Sequence, residues 1–278
     1  MNIDGKTVEG FGDEWSRFDQ STLSPDELHE LFDKYFHIFD WNRLPAHAEG
    51  FDAGCGSGRW AACVAPRVGR LHVVDASDRA LAVARRNLAP HANVSFHHAS
   101  IDRIPVDAAS MDFGYSLGVL HHMPDTAAGL RDCVSRLKEG APFLVYLYYA
   151  FDNRPVWYRA LWRASDALRR VVSSLPPFAR YAASQVVAVS IYWPLARLAA
   201  LAERLGMDVS SFPLAFYRDR SFYTMRTDAL DRLGTRLEQR FTRAQIQRMM
   251  EDAGLGEIRF SDRAPFWCAV GYRRAARA

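Results

Sequence analysis

Apolar residues along positions 47–150 recur in two alternating patterns, which predict alternating strands and helices. Short runs rich in β-branched and aromatic residues are typical of buried strands, and runs with apolar residues three or four positions apart are typical of amphipathic helices. The predicted strands are 50–53, 71–75, 94–97, 111–116 and 143–149, and the predicted helices are 59–68, 78–88 and 126–137. This alternation predicts an α/β fold built around a parallel sheet.

Beyond residue 150 the strand pattern stops, and helical periodicity with interspersed aromatic residues takes its place. The earlier pattern resumes near the end of the chain, with a predicted helix at 242–253 and predicted strands at 257–261 and 266–272. We therefore expect a helical segment that acts as a lid, a sheet core, a helical cap insertion and a C-terminal completion of the core. Their predicted bounds are 1–46, 47–150, 151–225 and 226–278.

The inserted region contains an uncharged run, residues 181–196, which raises the question of a membrane contact. A spanning helix needs about twenty apolar residues, whereas this run is shorter and is interrupted by Pro194. We expect a buried helix of the cap or of a homodimer contact, and no stable membrane insertion. Contact with a membrane interface is the alternative.

Composition and charge narrow the class of protein further. The chain has 278 residues, of which 49% are hydrophobic, so it is long enough for one large domain or for one domain with an insertion. Residues 1–50 contain eleven Asp and Glu against four Lys and Arg, whereas residues 151–225 contain ten Arg against five Asp and Glu. The basic stretch holds no Lys/Arg-rich run with interleaved aromatic residues, so we expect no nucleic-acid partner.

The cysteines and the first residues of the sequence are used to predict the cellular compartment of the protein. The four cysteines, Cys55, Cys63, Cys133 and Cys268, lie far apart and form no CxxC pair, which is typical of reduced thiols. The first residues lack a basic segment followed by an apolar one. We expect a cytoplasmic protein without structural zinc.

Residues 51–60, Phe-Asp-Ala-Gly-Cys-Gly-Ser-Gly-Arg-Trp, place three glycines between the first predicted strand and its helix. Glycine lets the backbone turn tightly and approach a ligand, and a helix N-terminus supplies free N–H groups. Asp75 ends the second predicted strand, twenty-one residues after Gly54, where a carboxylate reaches ribose hydroxyls. Arg59 occupies the position that requires a small residue in the dinucleotide fingerprint. The pattern predicts a nucleotide-like ligand other than a dinucleotide.

The GxGxG spacing behind Asp52, followed by Asp75, resembles the class I S-adenosylmethionine (SAM)-dependent methyltransferases. Three further stretches resemble motifs of that family: residues 104–113 its "LPF…FD", residues 117–122 its "GVLHH", and residues 241–255 its "fs.eEl…aGf" helix. The resemblance covers about residues 47–150 and 226–272 and is strongest to type 11/12 members from natural-product or polysaccharide pathways. It implies a Rossmann-like sheet of seven strands, with the last strand antiparallel, and SAM as cofactor.

The resemblance also implies a set of cofactor-binding residues. They are Trp15, Asp52, Gly54, Cys55, Gly56, Gly58, Arg59, Asp75, Ala76, Ser100, Ile101 and Leu117. Asp75 would bind the ribose, and Asp52 would hold the loop or accept from the ammonium group of SAM. Many members bind the adenine amino group through an Asp near Ser100, but here Ala-Ser-Ile stands instead. Ser100 or Asp102 would then take that part.

Four residues are candidates for the chemistry. His121 and His122 follow the fourth predicted strand, at the edge where the ligand would lie, and a histidine suits proton transfer near neutral pH. Tyr149 and Tyr192 belong to the aromatic residues that would surround the sulfonium cation of SAM. The alternatives are that the histidines pack or cap a loop and that the tyrosines fill a core. No cluster of His and carboxylate residues has metal-ligand spacing, so we expect no metal.

These residues predict a SAM-dependent methyltransferase that acts on a small molecule, either a sugar or a secondary metabolite. The methyl group would be passed by in-line transfer in an aromatic pocket from which water is excluded. One alternative keeps SAM as the only substrate: the α-amino group attacks the γ-carbon, which gives azetidine-2-carboxylate and methylthioadenosine. Another alternative is a nucleotide-binding protein without catalysis, or an RNA-modifying protein. A homodimer is compatible with each alternative.

Overall fold

The computed structural model describes residues 2–20, 22–209 and 212–275. These residues form two compact units. Unit 1 comprises the described residues of Met1–Asp19, Leu28–Ala150 and Leu237–Ala278, and unit 2 comprises those of Gln20–Glu27 and Phe151–Arg236. Unit 1 contains the sheet, and unit 2 is helical.

The described part of unit 1 contains one seven-stranded sheet. Its strands are β1 (Glu49–Ala53), β2 (Arg70–Asp75), β3 (Val94–His98), β4 (Phe113–Leu117), β5 (Pro142–Tyr146), β6 (Leu255–Phe260) and β7 (Cys268–Arg273). The order across the sheet is β3-β2-β1-β4-β5-β7-β6. Neighbouring strands from β3 to β5 pair in parallel, whereas β7 pairs antiparallel with both β5 and β6. The predicted fold class, including its antiparallel last strand, is confirmed.

Helices alternate with the first strands and then dominate the middle of the chain. In chain order they are α1 (Gly5–Arg17), α2 (Pro25–Phe36), α3 (Arg59–Val64), α4 (Asp78–Asn87), α5 (Thr126–Arg136), α6 (Val156–Ser173), α7 (Pro177–Val187), α8 (Trp193–Arg204), α9 (Phe222–Gly234) and α10 (Arg243–Asp252). Side-chain caps begin several of them: Ser77 accepts from the backbone N–H of Ala80 at the start of α4, and Thr242 forms a capping box with Gln245 at the start of α10.

Aromatic residues that pack across the central strands hold the sheet together. The side chains of Phe51, Phe113 and Phe143 are fully buried. Two glycines make room for the rings, because a Cβ atom on Gly50 would lie 2.3 Å from Phe113 and one on Gly114 would lie 2.5 Å from Phe51. Each fully buried phenylalanine contributes about 1.5–3 kcal/mol to stability.

The element ends show where the sequence pattern misleads. The first predicted helix of the sheet core, 59–68, ends at Val64 and continues as a short 3₁₀ turn, because Pro66 supplies no backbone N–H for the α-helical ladder. The fifth strand ends at Tyr146, before the predicted end at residue 149.

Two predicted domain boundaries require correction. The boundary expected at 225/226 falls inside α9, which is one continuous helix capped by Ser221, so unit 2 extends to Arg236. The predicted N-terminal segment 1–46 is also divided, because Gln20–Glu27 belongs to unit 2.

One described helical stretch of unit 2, Pro177–Arg204, is long and apolar enough to cross a membrane, judged by length and composition alone. It comprises α7, a π-helical turn at 188–192, and α8. One face of this stretch, Ala188, Tyr192 and Ala196, is buried against Met225 and Ala229 of α9. It therefore packs against α9 on that face, but only 22% of its most apolar window is buried, so the expectation of a buried helix holds for one face alone.

Candidate active site

The loop between β1 and α3 is closed to side chains larger than hydrogen. Gly54, Gly56 and Gly58 have φ angles of +86°, +54° and +78°, in the left-handed region that favours glycine. A Cβ atom on Gly54 would lie 2.5 Å from the methyl carbons of Val119, and one on Gly56 would lie 2.9 Å from the Trp15 indole. The sequence Gly-x-Gly-x-Gly is therefore required by the local geometry.

Hydrogen bonds fix this loop against the end of β2. The N–H groups of Gly54 and Cys55 donate to the Val74 carbonyl oxygen over 2.8 and 3.0 Å. The N–H of Gly56 donates to Oδ2 of Asp75 over 2.9 Å, and the N–H of Ser77 donates to Oδ1 over 2.8 Å. The Asp75 carboxylate is thus held in one orientation.

The environment of Asp75 suits hydroxyl recognition. Burial raises the pKa of Asp75, and the N–H groups of Ser77 and Gly56 reduce that rise. A carboxylate oxygen has about two lone pairs, so each oxygen can still accept a hydrogen bond from a ligand.

A cavity lies at the carboxyl ends of β1, β2 and β4, where open α/β sheets bind ligands. Its wall includes ten of the predicted cofactor residues: Trp15, Gly54, Cys55, Gly56, Arg59, Asp75, Ala76, Ser100, Ile101 and Leu117. Gly58 lies behind the wall, where a Cβ atom would be 2.9 Å from Leu88. Asp52 also lies behind it and is 1% exposed.

Asp52 is an isolated acid beneath the glycine loop. Its Oδ2 atom and the Tyr115 hydroxyl are buried, and neither has a hydrogen-bond partner of ordinary geometry among the described residues. Burial raises the pKa of Asp52 to about 8; the nearby Tyr115 hydroxyl reduces the rise, and the Asp75 carboxylate adds to it. Asp52 therefore carries a proton over most of the neutral range.

The N-terminal segment forms a further part of the wall. Trp15 was predicted here from sequence, whereas Asn2, Thr7 and Val8 were not. Asp4 was a sequence signal for the start of helix α1. It caps α1 by accepting a hydrogen bond from the Thr7 N–H over 2.8 Å. The position of α1 at the cavity depends on its tertiary contact with α4. No local sequence pattern predicts that contact.

Asn2 ties the N-terminal segment to Asp125, the residue that caps α5. Its side-chain amide donates to the Asp125 carbonyl oxygen over 2.6 Å and accepts from the Asp125 N–H over 2.8 Å. Its backbone N–H donates to Oδ2 of Asp102 over 3.2 Å. The Ser100 hydroxyl donates to the other oxygen of Asp102, and this hydrogen bond is the main reason that the pKa of Asp102 is lowered. Asp102 thus holds Ser100, which lies in the wall.

Arg59 places a cation beside the glycine loop. Its guanidinium carbon lies 4.3 Å from the centre of the Trp60 ring and 5.7 Å from that of the Trp15 ring. Stacking on these aromatic faces favours the charge and restrains the side chain. A ligand carboxylate at the wall would meet a fixed positive charge.

The two histidines after β4 have different surroundings. His122 is part of the cavity wall, and its Nδ1 lies 2.7 Å from the Leu237 carbonyl oxygen. This contact makes Nδ1 the donor, so the neutral ring carries its basic lone pair on Nε2. The ring of Phe11 lies 4.9 Å away, centre to centre.

His121 is sealed inside unit 1. Its ring is fully buried, and neither of its nitrogens has a hydrogen-bond partner among the described residues. Burial lowers its pKa well below the usual value, and the neighbouring His122 and Arg240 lower it further. Its ring stacks on Tyr148, with centres 3.9 Å apart. Of the predicted pair, the structure presents His122 to the cavity and packs His121 behind it.

The two predicted tyrosines lie in separate packing groups. Tyr149 packs in unit 1, with its ring centre 5.8 Å from that of Phe266 and 6.4 Å from that of Trp267. Tyr192 is 8% exposed and packs in unit 2, 5.2 Å from the ring of Tyr217. Tyr192 corresponds to the alternative in which the tyrosine fills a core, whereas Tyr149 is only partly buried, and neither belongs to the cavity wall. Their predicted part in the chemistry stays a prediction.

The wall fits SAM in four respects. The bare glycine loop admits a ligand at the place where a Cβ atom would clash, and the Asp75 carboxylate has lone pairs for ribose hydroxyls. Arg59 can hold a carboxylate, and the Trp15 ring offers a face to a sulfonium cation. Among the described residues no group of three or more His, Cys, Asp or Glu is arranged to hold a metal ion.

A sheet with an antiparallel last strand, and a cavity with a glycine loop and an acidic residue at its carboxyl edge, are typical of class I SAM-dependent methyltransferases. The profile of the methyltransferase domain family matches residues 51–140, from β1 to the turn before β5. These similarities support a class I SAM-dependent methyltransferase with SAM as its cofactor.

Curated relatives share part of the chain. A ubiquinone biosynthesis O-methyltransferase of Aromatoleum aromaticum is 28% identical over 142 residues, which are 50% of this chain and 61% of the relative. A protein of the same name from Marinobacter nauticus is 27% identical over 149 residues, 52% of this chain and 63% of the relative. The matched region therefore spans about three fifths of these relatives.

A solved structure shares the fold over nearly the whole chain. It is the complex of the Trm112 methyltransferase activator from Haloferax volcanii with its assigned methyltransferase, matched with a TM-score of 0.55 and 16% identity. The match covers 98% of this chain and 99% of that chain. At this level of identity the likeness concerns the fold alone.

Proposed function

We propose that the chain is a SAM-dependent methyltransferase that methylates a hydroxyl group of a small organic acceptor, a sugar or a secondary metabolite. The observation that carries the proposal is His122, an imidazole in the cavity wall whose Nδ1 donates to the Leu237 carbonyl oxygen and whose buried Nε2 therefore carries the basic lone pair. The O-methyltransferase names of the relatives support oxygen as the methylated atom.

Each part of the wall has a task in this reaction. When bound, SAM supplies an electrophilic methyl group on a sulfonium centre. Asp75 accepts hydrogen bonds from the ribose, and Ser100 and Ile101 form the wall at the adenine end. Arg59 neutralises the carboxylate of the amino-acid portion. The apolar side chains of Val8 and Phe11 exclude water from the acceptor, which prevents hydrolysis and strengthens the local electrostatics.

The task of His122 is proton transfer. A hydroxyl acceptor is a weak nucleophile until its proton is removed, and a positioned base contributes about 10²–10⁴-fold to such a step. Leu237 fixes the tautomer in which Nε2 accepts that proton. His121 behind it stays neutral, because burial disfavours its charged form.

The segment before the sheet serves as a lid in this proposal. α1 supplies Phe11 and Trp15 to the wall, and Asn2, which precedes α1, binds Asp125 at the start of α5. The four cysteines are all free and buried, which supports a reducing, cytoplasmic location.

The test is the identity of the nucleoside product. Purified protein is incubated with SAM, first alone and then with a panel of polyhydroxylated and phenolic acceptors, and the products are identified by mass spectrometry. S-adenosylhomocysteine together with a methylated acceptor supports the proposal. Methylthioadenosine formed from SAM alone would show cyclisation instead, and SAM binding without turnover on any acceptor would show a binding protein.

A pair of variants assigns the base. His122→Gln should lower kcat by about 10²–10⁴-fold with SAM affinity unchanged, and it should remove the acidic limb of the pH–rate profile. His91→Gln, in the loop before β3, is the matched control and should leave both quantities unchanged. Equal turnover of the two variants would exclude His122 as the base.

A further inference from the structure

Exposed apolar side chains are concentrated in one part of the chain. Among the described residues, every large apolar side chain that is exposed lies between Val156 and Phe222, within unit 2. Single exposed apolar residues scattered over a surface need no explanation, but a concentration of them along two helices indicates an interaction site. Unit 1 supplies none of them, although it is the larger unit.

Several of these residues lie on the stretch Pro177–Arg204. Phe178, Val186, Val189, Trp193 and Leu201 recur at intervals of three, four or eight positions, and Ile191 and Leu198 are exposed beside them. Phe178 is 79% exposed and Val186 is 65% exposed. Another face of the helix is buried in unit 2, so these side chains are presented outward.

Helix α6 also exposes apolar side chains, and its buried face carries polar ones. Trp157, Leu161, Leu168 and Val171 are exposed at helical spacing. The inner face instead carries the buried ion pair of Asp166 and Arg169, 2.7 Å apart. A surface helix of a water-soluble protein normally has the reverse arrangement, with its apolar side inward. We name the exposed apolar side chains of α6 and of Pro177–Arg204 the apolar docking face.

Charge shows which partner fits this face. Arg159 and Arg163 are exposed on α6, as is Arg170, which also pairs with Asp166, and residues 151–225 carry ten Arg against five Asp and Glu. A second copy of the chain would bring the same positive charges together, which is unfavourable. Anionic headgroups above hydrocarbon match both the arginines and the apolar docking face. The half-exposed Trp157 and Trp193 are of the residue type that is enriched at membrane–water interfaces.

We propose that unit 2 binds the surface of a bilayer that contains anionic lipid, with the apolar docking face in the interface and the arginines at the headgroups. The helix lies on the membrane and does not cross it, because Ala188, Tyr192 and Ala196 on its other side belong to the core of unit 2. The proposal does not depend on methyl transfer, since all of these residues lie outside the cavity wall described for unit 1.

The experiment is co-sedimentation of the full chain with lipid vesicles. Vesicles of phosphatidylcholine are compared with vesicles that also contain about 30% phosphatidylglycerol, at low and high salt. We expect at least about tenfold stronger partitioning onto the anionic vesicles, weakened by salt. No binding of the wild-type chain to anionic vesicles would overturn the proposal.

Variants separate the two contributions. Phe178→Ser with Val186→Ser should weaken vesicle binding about tenfold or more, whereas Ala167→Ser, an exposed alanine on α6, should not. Arg159→Gln with Arg163→Gln should reduce the preference for anionic lipid, whereas Arg70→Gln with Arg131→Gln in unit 1 should not. Equal binding by all of these variants would count against the docking face.

Two readouts keep folding and function apart from the membrane test. SAM affinity, which belongs to unit 1, should be the same in every surface variant and so reports on folding. Asp75→Asn should lose SAM binding but keep vesicle binding, so failure of the proposed chemistry would leave the membrane result standing. If size-exclusion chromatography shows a dimer that Phe178→Ser with Val186→Ser dissociates, and no variant binds vesicles, the face is a homodimer contact and the membrane proposal is wrong.

Discussion

Gly56 tests the cofactor cradle with the smallest possible change. Its φ of +54° costs an alanine about 1–2 kcal/mol, and the new Cβ atom would also lie 2.9 Å from the Trp15 indole. Gly56→Ala should therefore lower SAM affinity at least about tenfold, measured by calorimetry. Gly140→Ala is the matched control, because its φ is +76° and nothing lies within 4 Å. Gly140→Ala should lose a similar amount of stability and keep its affinity for SAM. An equal loss of SAM affinity in both variants would contradict the proposed role of Gly56 in binding the cofactor.

Asp52 gives a residue-level prediction about pH. In the folded chain its pKa is about 8, whereas the ordinary value is 3.8. Between these two values the unfolded chain has released this proton and the folded chain has kept it, so stability falls as pH rises through that window. Asp52→Asn removes the penalty, and its advantage over wild type should grow from near zero at pH 4 to on the order of 5 kcal/mol at pH 8.

The measurement for Asp52 is denaturant unfolding of both proteins across that pH range. Asp107→Asn, on an exposed loop, is the control and should show no such pH-dependent difference. An Asp52→Asn variant that is less stable than wild type at pH 8, or whose difference from wild type does not change with pH, would show that the acid is ionised and held by the loop.

At the scale of elements, the position of the lid helix α1 depends on the hydrogen bonds of Asn2, which precedes it in the chain. Asn2→Ala removes both amide hydrogen bonds to Asp125, each worth about 0.5–1.5 kcal/mol. SAM affinity should fall about three- to tenfold. Asn93→Ala is matched, because its amide also makes two hydrogen bonds, to the carbonyl oxygens of Ala65 and Val68. It should lower the melting temperature without changing SAM affinity; the same affinity loss in both would point to general destabilisation.

The elements also show what a sequence pattern can and cannot predict. Gly54 and Asp75 were found from sequence because their spacing reflects local geometry, a turn and a strand end that meet in any βαβ unit. Asn2 and Thr7 were missed, since they reach the cavity only after α1 packs on α4. The uncharged run 181–196 predicted a helix within Pro177–Arg204 but could not show which of its faces is inward, because both faces are apolar.

At the scale of the molecule, the two units divide the work between ligand and surface. All residues that line the cavity belong to unit 1, and the apolar docking face belongs to unit 2. A ligand that binds only the folded state stabilises it by about 2.7 kcal/mol at one hundred times its Kd. That stabilisation should concentrate in the elements that the ligand touches.

Hydrogen exchange measured by mass spectrometry checks this division. Saturating S-adenosylhomocysteine should slow exchange in peptides that cover residues 2–15, 54–60, 75–77 and 117–123, because these segments form the wall. Peptides of α6 and of Pro177–Arg204 should be unchanged, since local opening there does not release ligand contacts. NAD is the control ligand and should protect none of these peptides, because Arg59 occupies the position where a dinucleotide site requires a small residue. Protection that extends equally over unit 2 would mean that the ligand site is not confined to unit 1.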